Sequence, residues 1–138
     1  MNYLTGDFDL KVLTHSDTAI RYKIDNVPSQ TEIDNLKLLY ENILLPLFKA
    51  LPGKINVTVA YRNHSLNAKV GGKPASQHTQ GKAADIEYYE NGKENNQKLM
   101  DTIKELKLPV DQCIDERNLA WVHVSYNHGK NRGQFLKL

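Results

Sequence analysis

Several features that would restrict the class of this protein are missing from its sequence. The 138 residues include one cysteine, Cys113, so no intramolecular disulfide can form, and we expect a buried, unreactive thiol. No stretch approaches the roughly 18 apolar residues that span a membrane, so we expect no membrane insertion. The net charge is only +2, and Lys130-Asn131-Arg132 is the one basic cluster. We therefore expect no nucleic-acid partner.

Signals for export and for division into domains are missing as well. The first residues, 1–7, contain no basic segment followed by an apolar core, so we expect no signal peptide. No repeat, linker or low-complexity tract is present, and 40% of residues are hydrophobic and 25% charged, as in ordinary globular proteins. We expect a single domain over residues 1–138 and a monomer.

Three segments have the apolar periodicity of helices. The clearest begins at a capping box, with Ser29 as N-cap and Glu32 three residues later, and continues to Phe48. Pro46 should kink or shorten the end of this helix. The other predicted helices are residues 14–22 and 94–106.

Three further segments are predicted strands, residues 55–61, 83–89 and 121–126, and the last residues of the chain are a candidate edge strand. Residues 63–80 contain Gly71-Gly72 and Pro74 and are predicted to form a long loop, which in a compact domain is usually functional. Strands and helices do not alternate regularly. We therefore predict an α+β fold with a small, mainly antiparallel sheet flanked by helices.

Two histidines and one carboxylate stand out by type and spacing. His78 and Asp85 lie seven residues apart, so no straight strand can point both the same way, and Gly81 is suited to a turn between them. If the strands around Asp85 and His123 are neighbours, both side chains can project from one side of the sheet. Two imidazoles and one carboxylate suit a catalytic zinc site, which leaves a fourth position for water. A hydrogen-bonded histidine and a capping aspartate are the alternatives.

The combined pattern around these residues resembles a known family. Ser76-x-His78-x-x-Gly81-x-Ala83-x-Asp85, followed by Trp121-Val122-His123-Val124-Ser125, is similar to the motifs of the zinc D-Ala-D-Ala carboxypeptidase family of peptidoglycan peptidases. The resemblance extends over residues 10–126 and includes Asn26-x-Pro28, Tyr61-Arg62, Asn67 and Val70-Gly71-Gly72. The resemblance implies the Hedgehog/DD-peptidase fold, and it is strongest to the branch of the family that includes phage endolysins.

The resemblance implies a set of site residues. Zinc would be held by His78, Asp85 and His123, and Arg62 would bind substrate or developing oxyanion charge. A structural salt bridge is the alternative for Arg62. Candidates for binding the substrate are Ser76, Gln77 and Trp121, although Ser76 could equally serve only as a cap of the loop.

The resemblance also implies an acidic general base, for which the chain offers two candidates. Many members of the family have an acidic residue three positions before the last histidine, where this chain has Ala120. In the closer branch the acid ends a segment like residues 111–116, which makes Glu116 the candidate and Asp115 the alternative. A second departure is Val59-Ala60, where the family often has Ser-Gly before the Tyr-Arg pair.

The expected function is that of a zinc peptidase acting on peptidoglycan stem peptides, as a carboxypeptidase or an endopeptidase. A catalytically inactive, zinc-containing cell-wall-binding module is the alternative that Ala120 favours. A metal-free, phage-associated wall-binding protein is a third reading. We expect synthesis in a bacterial cytoplasm and action on the wall after release by phage lysis or another route.

Overall fold

A six-stranded sheet forms the centre of the protein, which a computed structural model describes over residues 1–138. The strands run in the order β1-β2-β5-β4-β6, and the short β3 pairs with β2. All pairs are antiparallel except β4–β6, so the prediction of an α+β fold with a mainly antiparallel sheet is confirmed. The strands are β1 Lys54–Val59, β2 Ala83–Glu90, β3 Lys93–Glu94, β4 Gln112–Glu116, β5 Trp121–Ser125 and β6 Gln134–Lys137.

The protein also has six α-helices: α1 Leu10–Thr14, α2 Asp17–Arg21, α3 Gln30–Leu39, α4 Leu45–Ala50, α5 His64–Lys69 and α6 Asn96–Glu105. The single helix predicted over residues 14–22 is wrong, because two short helices meet there. The hydroxyl of Ser16 accepts a hydrogen bond from the backbone of Ala19 and so starts α2 afresh. None of the helices combines the length and apolar character that crossing a membrane requires.

The predicted long helix begins as expected and continues past its proline. Ser29 and Glu32 form the capping box at the start of α3. A π-helical turn, Tyr40–Leu44, then joins α3 to α4 and includes a hydrogen bond from the backbone of Leu45 to Tyr40. Pro46 follows in the first turn of α4, where its missing N–H is tolerated. The proline therefore interrupts the regular helix without ending it.

The structureless loop predicted over residues 63–80 is wrong, because its two ends are helical. Asn63 caps α5 at one end, and at the other a 3₁₀ turn, Gln77–Gln80, is capped by Ser76. Sequence periodicity also missed β4, a five-residue strand. Its ladder with β5 and β6 on either side, rather than its own composition, makes it a strand.

The two faces of the sheet have different roles. One face, here called the core face, carries apolar side chains such as Ile86, Val122 and Val124, which belong to one hydrophobic cluster with the helices. Cys113 lies on this face, fully buried as expected, and burial raises the pKa of its thiol to about 12. The opposite face, here called the site face, carries Asp85 and its cross-strand partner.

Candidate metal centre and cleft

His78 is held rigidly beneath the site face. Its backbone N–H donates to the hydroxyl of Ser76, and its ring is only 3% exposed. The ring Nδ1 donates to the carbonyl of Ala60 at 2.7 Å. This hydrogen bond fixes the tautomer and leaves Nε2 with its lone pair directed to Asp85, 3.4 Å from Oδ1.

The strands around Asp85 and His123 are neighbours, and the two residues are direct cross-strand partners in the β2–β5 ladder. Both side chains therefore project from one side of the sheet, as expected for neighbouring strands. His123 Nδ1 lies 2.9 Å from Asp85 Oδ1. Burial raises the pKa of Asp85, but the hydrogen bond from His123 and the proximity of the His78 imidazole outweigh that effect and hold the pKa well below its usual range. Asp85 is therefore a carboxylate at neutral pH, which is the form that binds metal.

The turn predicted between His78 and Asp85 is present at Gly81. Gly81 has a φ of +73°, and a Cβ at this position would lie 2.5 Å from the backbone oxygen of Glu32. Only glycine combines that conformation with so close an approach of α3. The turn thus depends on Gly81 and places His78 under the strand that carries Asp85.

These three side chains meet the requirements of a zinc site. One donor atom from each of His78, Asp85 and His123 lies within 4.8 Å of the others. The two imidazole rings meet edge to face with centroids 5.2 Å apart. Two nitrogens and one carboxylate oxygen form a donor set that zinc accepts, and the hydrogen bond from His78 to a carbonyl is the typical support of a ligating histidine.

Arg62 reaches the same site from the chain that follows β1. Its backbone N–H donates to the carbonyl of His78 at 3.1 Å, and Nη2 lies 3.4 Å from the Ser76 hydroxyl. The Nε atom is buried and has no hydrogen-bond partner within the chain. Burial lowers the pKa of Arg62, and the charge of Asp85 opposes that shift. Arg62 thus brings an incompletely satisfied cation to the site face.

Glu116 and Asp115 point to opposite faces because they are consecutive residues of β4. Glu116 pairs with Trp121 and is the diagonal neighbour of His123, on the site face. It lines the cleft and makes no ion pair or hydrogen bond through its carboxylate. Asp115 pairs with Val122 on the core face and accepts a 2.6 Å hydrogen bond from the backbone of Leu119. Its geometry is that of a residue that stabilises the β4–β5 turn.

Ala120, at the position where the resemblance implies an acidic general base, lies in the turn between β4 and β5. Arg117, Asn118 and Leu119 all have positive φ, so the connection is a tight left-handed turn. The backbone N–H of Ala120 donates to the carbonyl of Glu116 at 2.9 Å. The carboxylate on the site face therefore comes from the end of β4 instead of from this turn.

A cleft of about 790 Å³ opens over the site face and contains all three predicted substrate-binding residues. Ser76 caps the 3₁₀ turn and lies beside Arg62, so it has the capping role that was its alternative. The Trp121 ring lies 5.6 Å from the guanidinium of Arg117. Gln77 donates through Nε2 to Asp111 at 2.8 Å, and its side-chain oxygen Oε1 has no partner in the chain.

Asp111 is the site residue that sequence reasoning missed. Its carboxylate is 1% exposed and accepts three hydrogen bonds from Arg132 as well as the one from Gln77. The bonds from Arg132 lower its pKa to about 2, against the opposing effect of burial. An aspartate before a strand usually serves as a turn residue, so no local signal marks Asp111 as a buried ion-pair partner.

The comparison with protein families agrees with this geometry. The family model described as peptidase M15 matches residues 7–125, which is most of the chain. The chain belongs to the peptidase M15 family. This is the zinc-dependent peptidase family that the motif around His78, Asp85 and His123 resembles. None of the curated proteins matches the chain.

The structure shows how the M15 metal site accommodates Val59-Ala60, the second departure noted in the sequence. Ala60, the second residue of that departure, is fully buried. The group that accepts the hydrogen bond from His78 is the backbone carbonyl of Ala60. A side chain at this position therefore leaves the support of the M15 metal site intact.

Proposed function

We propose that this M15-family protein is a zinc peptidase that hydrolyses peptide bonds in peptidoglycan stem peptides, as a carboxypeptidase or an endopeptidase. The observation that carries the proposal is the convergence of His78, Asp85 and His123 below a cleft that also contains an unpaired carboxylate, Glu116. The proposed unit is the whole of residues 1–138, since one hydrophobic cluster joins the sheet to its helices.

His78, Asp85 and His123 would hold the zinc ion. Bound there, zinc would lower the pKa of a water molecule to about 7 and act as a Lewis acid toward the substrate carbonyl. The protein contributes preorganisation, because the His78 ring is fixed by Ala60 and Asp85 is ionised before metal binds. Little rearrangement of the ligands is then needed.

Glu116 would act as the general base and then as the general acid. One carboxylate oxygen would accept a proton from the attacking water, and the same group would return it to the nitrogen of the departing amine. Glu116 is suited to this role because it has no competing partner and lies diagonal to His123 on the same face. Asp115 is turned to the core face and already binds the Leu119 backbone.

Arg62 would stabilise the oxygen of the scissile carbonyl as negative charge develops on it. Arg62 lines the cleft, and its only side-chain hydrogen bond is from Nη2 to Ser76, so Nη1 has no partner in the chain and could donate to a substrate oxygen. Loss of one such donor typically lowers the rate by about 10²–10³. The structural salt bridge considered for Arg62 has no support in the contacts, since no carboxylate lies within ion-pair distance of its guanidinium.

The inactive wall-binding module differs from the peptidase in one testable respect. The observation that favours it is Ala120, at the position where many relatives have the base. Zinc-loaded protein should be incubated with defined muropeptides and the product masses read. The peptidase predicts two fragments whose masses sum to the substrate plus one water, and their identity gives the bond that is cut. Binding of zinc with no cleavage of any stem peptide would overturn the proposal.

A further inference from the structure

One wall of the cleft lies outside the region that matches the family. It is the segment between β5 and β6, and Asn127, Lys130 and Arg132 from it line the cleft. The segment is well fixed, because Asn127 N–H donates to Asn131 Oδ1 at 2.7 Å and Lys82 Nζ donates to Asn127 Oδ1 at 3.0 Å. Its side chains are therefore presented from a defined turn.

One edge of the Arg132 guanidinium is held by Asp111, and the other edge is exposed to the cleft. Nε and Nη2 donate to the two oxygens of Asp111 at 2.9 and 3.0 Å, and the backbone N–H of Arg132 adds a third bond at 2.9 Å. The Asp111 side chain is 1% exposed, whereas that of Arg132 is 52% exposed. Nη1 and the outer N–H of Nη2 donate to no group of the chain. A substrate thus meets the guanidinium and not the carboxylate that holds it.

The charges around the cleft favour an anion at this wall. Four cationic side chains line the cleft against three carboxylates. Two of those carboxylates are already engaged, Asp85 by the histidines and Asp111 by Arg132. An anchored arginine has lost much of its side-chain freedom in advance, so binding costs it less entropy than it would cost a free lysine.

We propose that Arg132, positioned by Asp111, binds a carboxylate of the substrate and makes the cleft prefer peptides with that carboxylate free over peptides in which it is amidated. This inference rests on the proposed function, since it assumes a stem peptide in the cleft. The free edge of a guanidinium matches the two oxygens of a carboxylate, whereas a carboxamide offers one acceptor and no charge. A stem peptide with L-Lys at its third position carries two such groups, the α-carboxylate of the γ-linked D-glutamyl residue and the C-terminal carboxylate.

Asp111 also links this wall to the metal site. The same carboxylate holds Arg132 and, through Oδ2, the side-chain amide of Gln77, which directly precedes His78. The side-chain oxygen of Gln77, Oε1, is thereby left as an acceptor for a peptide N–H. Asp111 is thus a positioning residue that sets two substrate contacts at once.

Binding is best measured without turnover, in zinc-loaded Glu116→Gln protein by calorimetry. The probes are acetyl-L-Ala-γ-D-Glu-L-Lys-D-Ala-D-Ala, the same peptide with its D-glutamyl α-carboxylate amidated, and the same peptide with its C-terminus amidated. We expect one amidated peptide to bind about 10- to 100-fold more weakly than the acid, as for loss of a hydrogen bond between charged groups. Which peptide is weakened identifies the carboxylate.

The variants decide whether Arg132 is responsible. In the Arg132→Gln background the acid and the affected amide should bind alike, and Arg132→Lys should restore only part of the difference. Lys130→Gln is the matched control, since Lys130 is a cation of the same wall without an anchoring carboxylate, and it should keep the discrimination. Thermal unfolding checks that each variant is folded.

Two results would overturn the inference: equal binding of all three peptides to the parent protein, or discrimination that survives Arg132→Gln. Turnover by protein with Glu116 intact separates this failure from failure of the proposed function. Cleavage without a preference for the free carboxylate refutes only the role of Arg132 and leaves the proposed peptidase function standing. A preference that depends on Arg132, without cleavage of any stem peptide, supports that role and refutes the peptidase.

Discussion

At the scale of single residues, the candidate chemistry depends on which side of a strand each acid faces. Glu116 and Asp115 are adjacent in sequence, yet one lines the cleft and the other binds the backbone of Leu119 on the far side of the sheet. This difference follows from strand alternation alone. It makes Glu116 the better candidate for the base and leaves Asp115 with a structural role.

Glu116→Gln should lower turnover of a cleavable stem peptide by at least about 10²–10⁴, the usual contribution of a general base. Zinc content should stay at the parent value, because Glu116 is not one of the three clustered donors. Steady-state kinetics together with metal analysis of the same samples measures both. Near-normal turnover would move the base to another residue.

Residue type and spacing predicted part of this site and not the rest. His78, Asp85 and His123 could be grouped because strand parity restricts their directions and metal ligands come from a short list of residue types. The buried Asp111 could not be found, since its partners Gln77 and Arg132 lie 34 and 21 residues away. Long-range pairing of this kind leaves no local pattern.

At the scale of elements, the connection between the 3₁₀ turn and β2 depends on a glycine that packs closely against α3. Gly81 has nearly the same φ as Gly92, +73° against +75°, but only Gly81 has a backbone oxygen, that of Glu32, in the space that a Cβ would fill. The predicted turn at Gly81 was correct because its reason is local. The strand β4 was missed because it depends on pairing with β5 and β6.

Gly81→Ala should therefore be more harmful than Gly92→Ala. Both substitutions incur the left-handed penalty of about 1–2 kcal/mol, and Gly81→Ala adds a clash that costs on the order of 1–3 kcal/mol. Since the turn carries His78, zinc should also be lost more readily to a chelator. Urea unfolding of the metal-free proteins and chelator competition measure the two effects. Equal behaviour of the two variants would contradict this role for Gly81.

At the scale of the whole molecule, the sheet separates a packed face from a chemical one. Helices α3, α4 and α6 pack on the core face, and the segment after β5 forms one wall of the cleft on the site face. Asp111 connects two segments that line the cleft. It accepts hydrogen bonds from Arg132, in the segment before β6, and from Gln77, which directly precedes His78. The ion pair of the buried Asp111 with the half-exposed Arg132 therefore connects the two sides of the cleft.

The folded pKa of Asp111, about 2, lies below its ordinary value of 3.8. A depressed pKa means that the stabilisation is complete above about 4 and is lost as the pH falls toward 2. Asp111→Asn should lower the free energy of unfolding at neutral pH by on the order of 2 kcal/mol. Its stability should also vary less than that of the parent between these two pH values.

Denaturant unfolding of metal-free protein at a series of pH values tests this, because zinc release then makes no contribution. Asp101→Asn is the control, since Asp101 is an exposed carboxylate of α6 that accepts one hydrogen bond from Gln97. The control should keep the parent's acid dependence. An unchanged acid dependence in Asp111→Asn would show that this pair contributes little to stability.

The central claim is that His78, Asp85 and His123 together hold one zinc ion. The most direct measurement is the zinc-to-protein ratio of the parent, His123→Ala and His128→Ala after zinc loading and removal of free metal. His128 is an exposed histidine that hydrogen-bonds Tyr126, outside the donor cluster. We predict ratios near one for the parent and His128→Ala and near zero for His123→Ala. Stoichiometric zinc in His123→Ala would contradict the account.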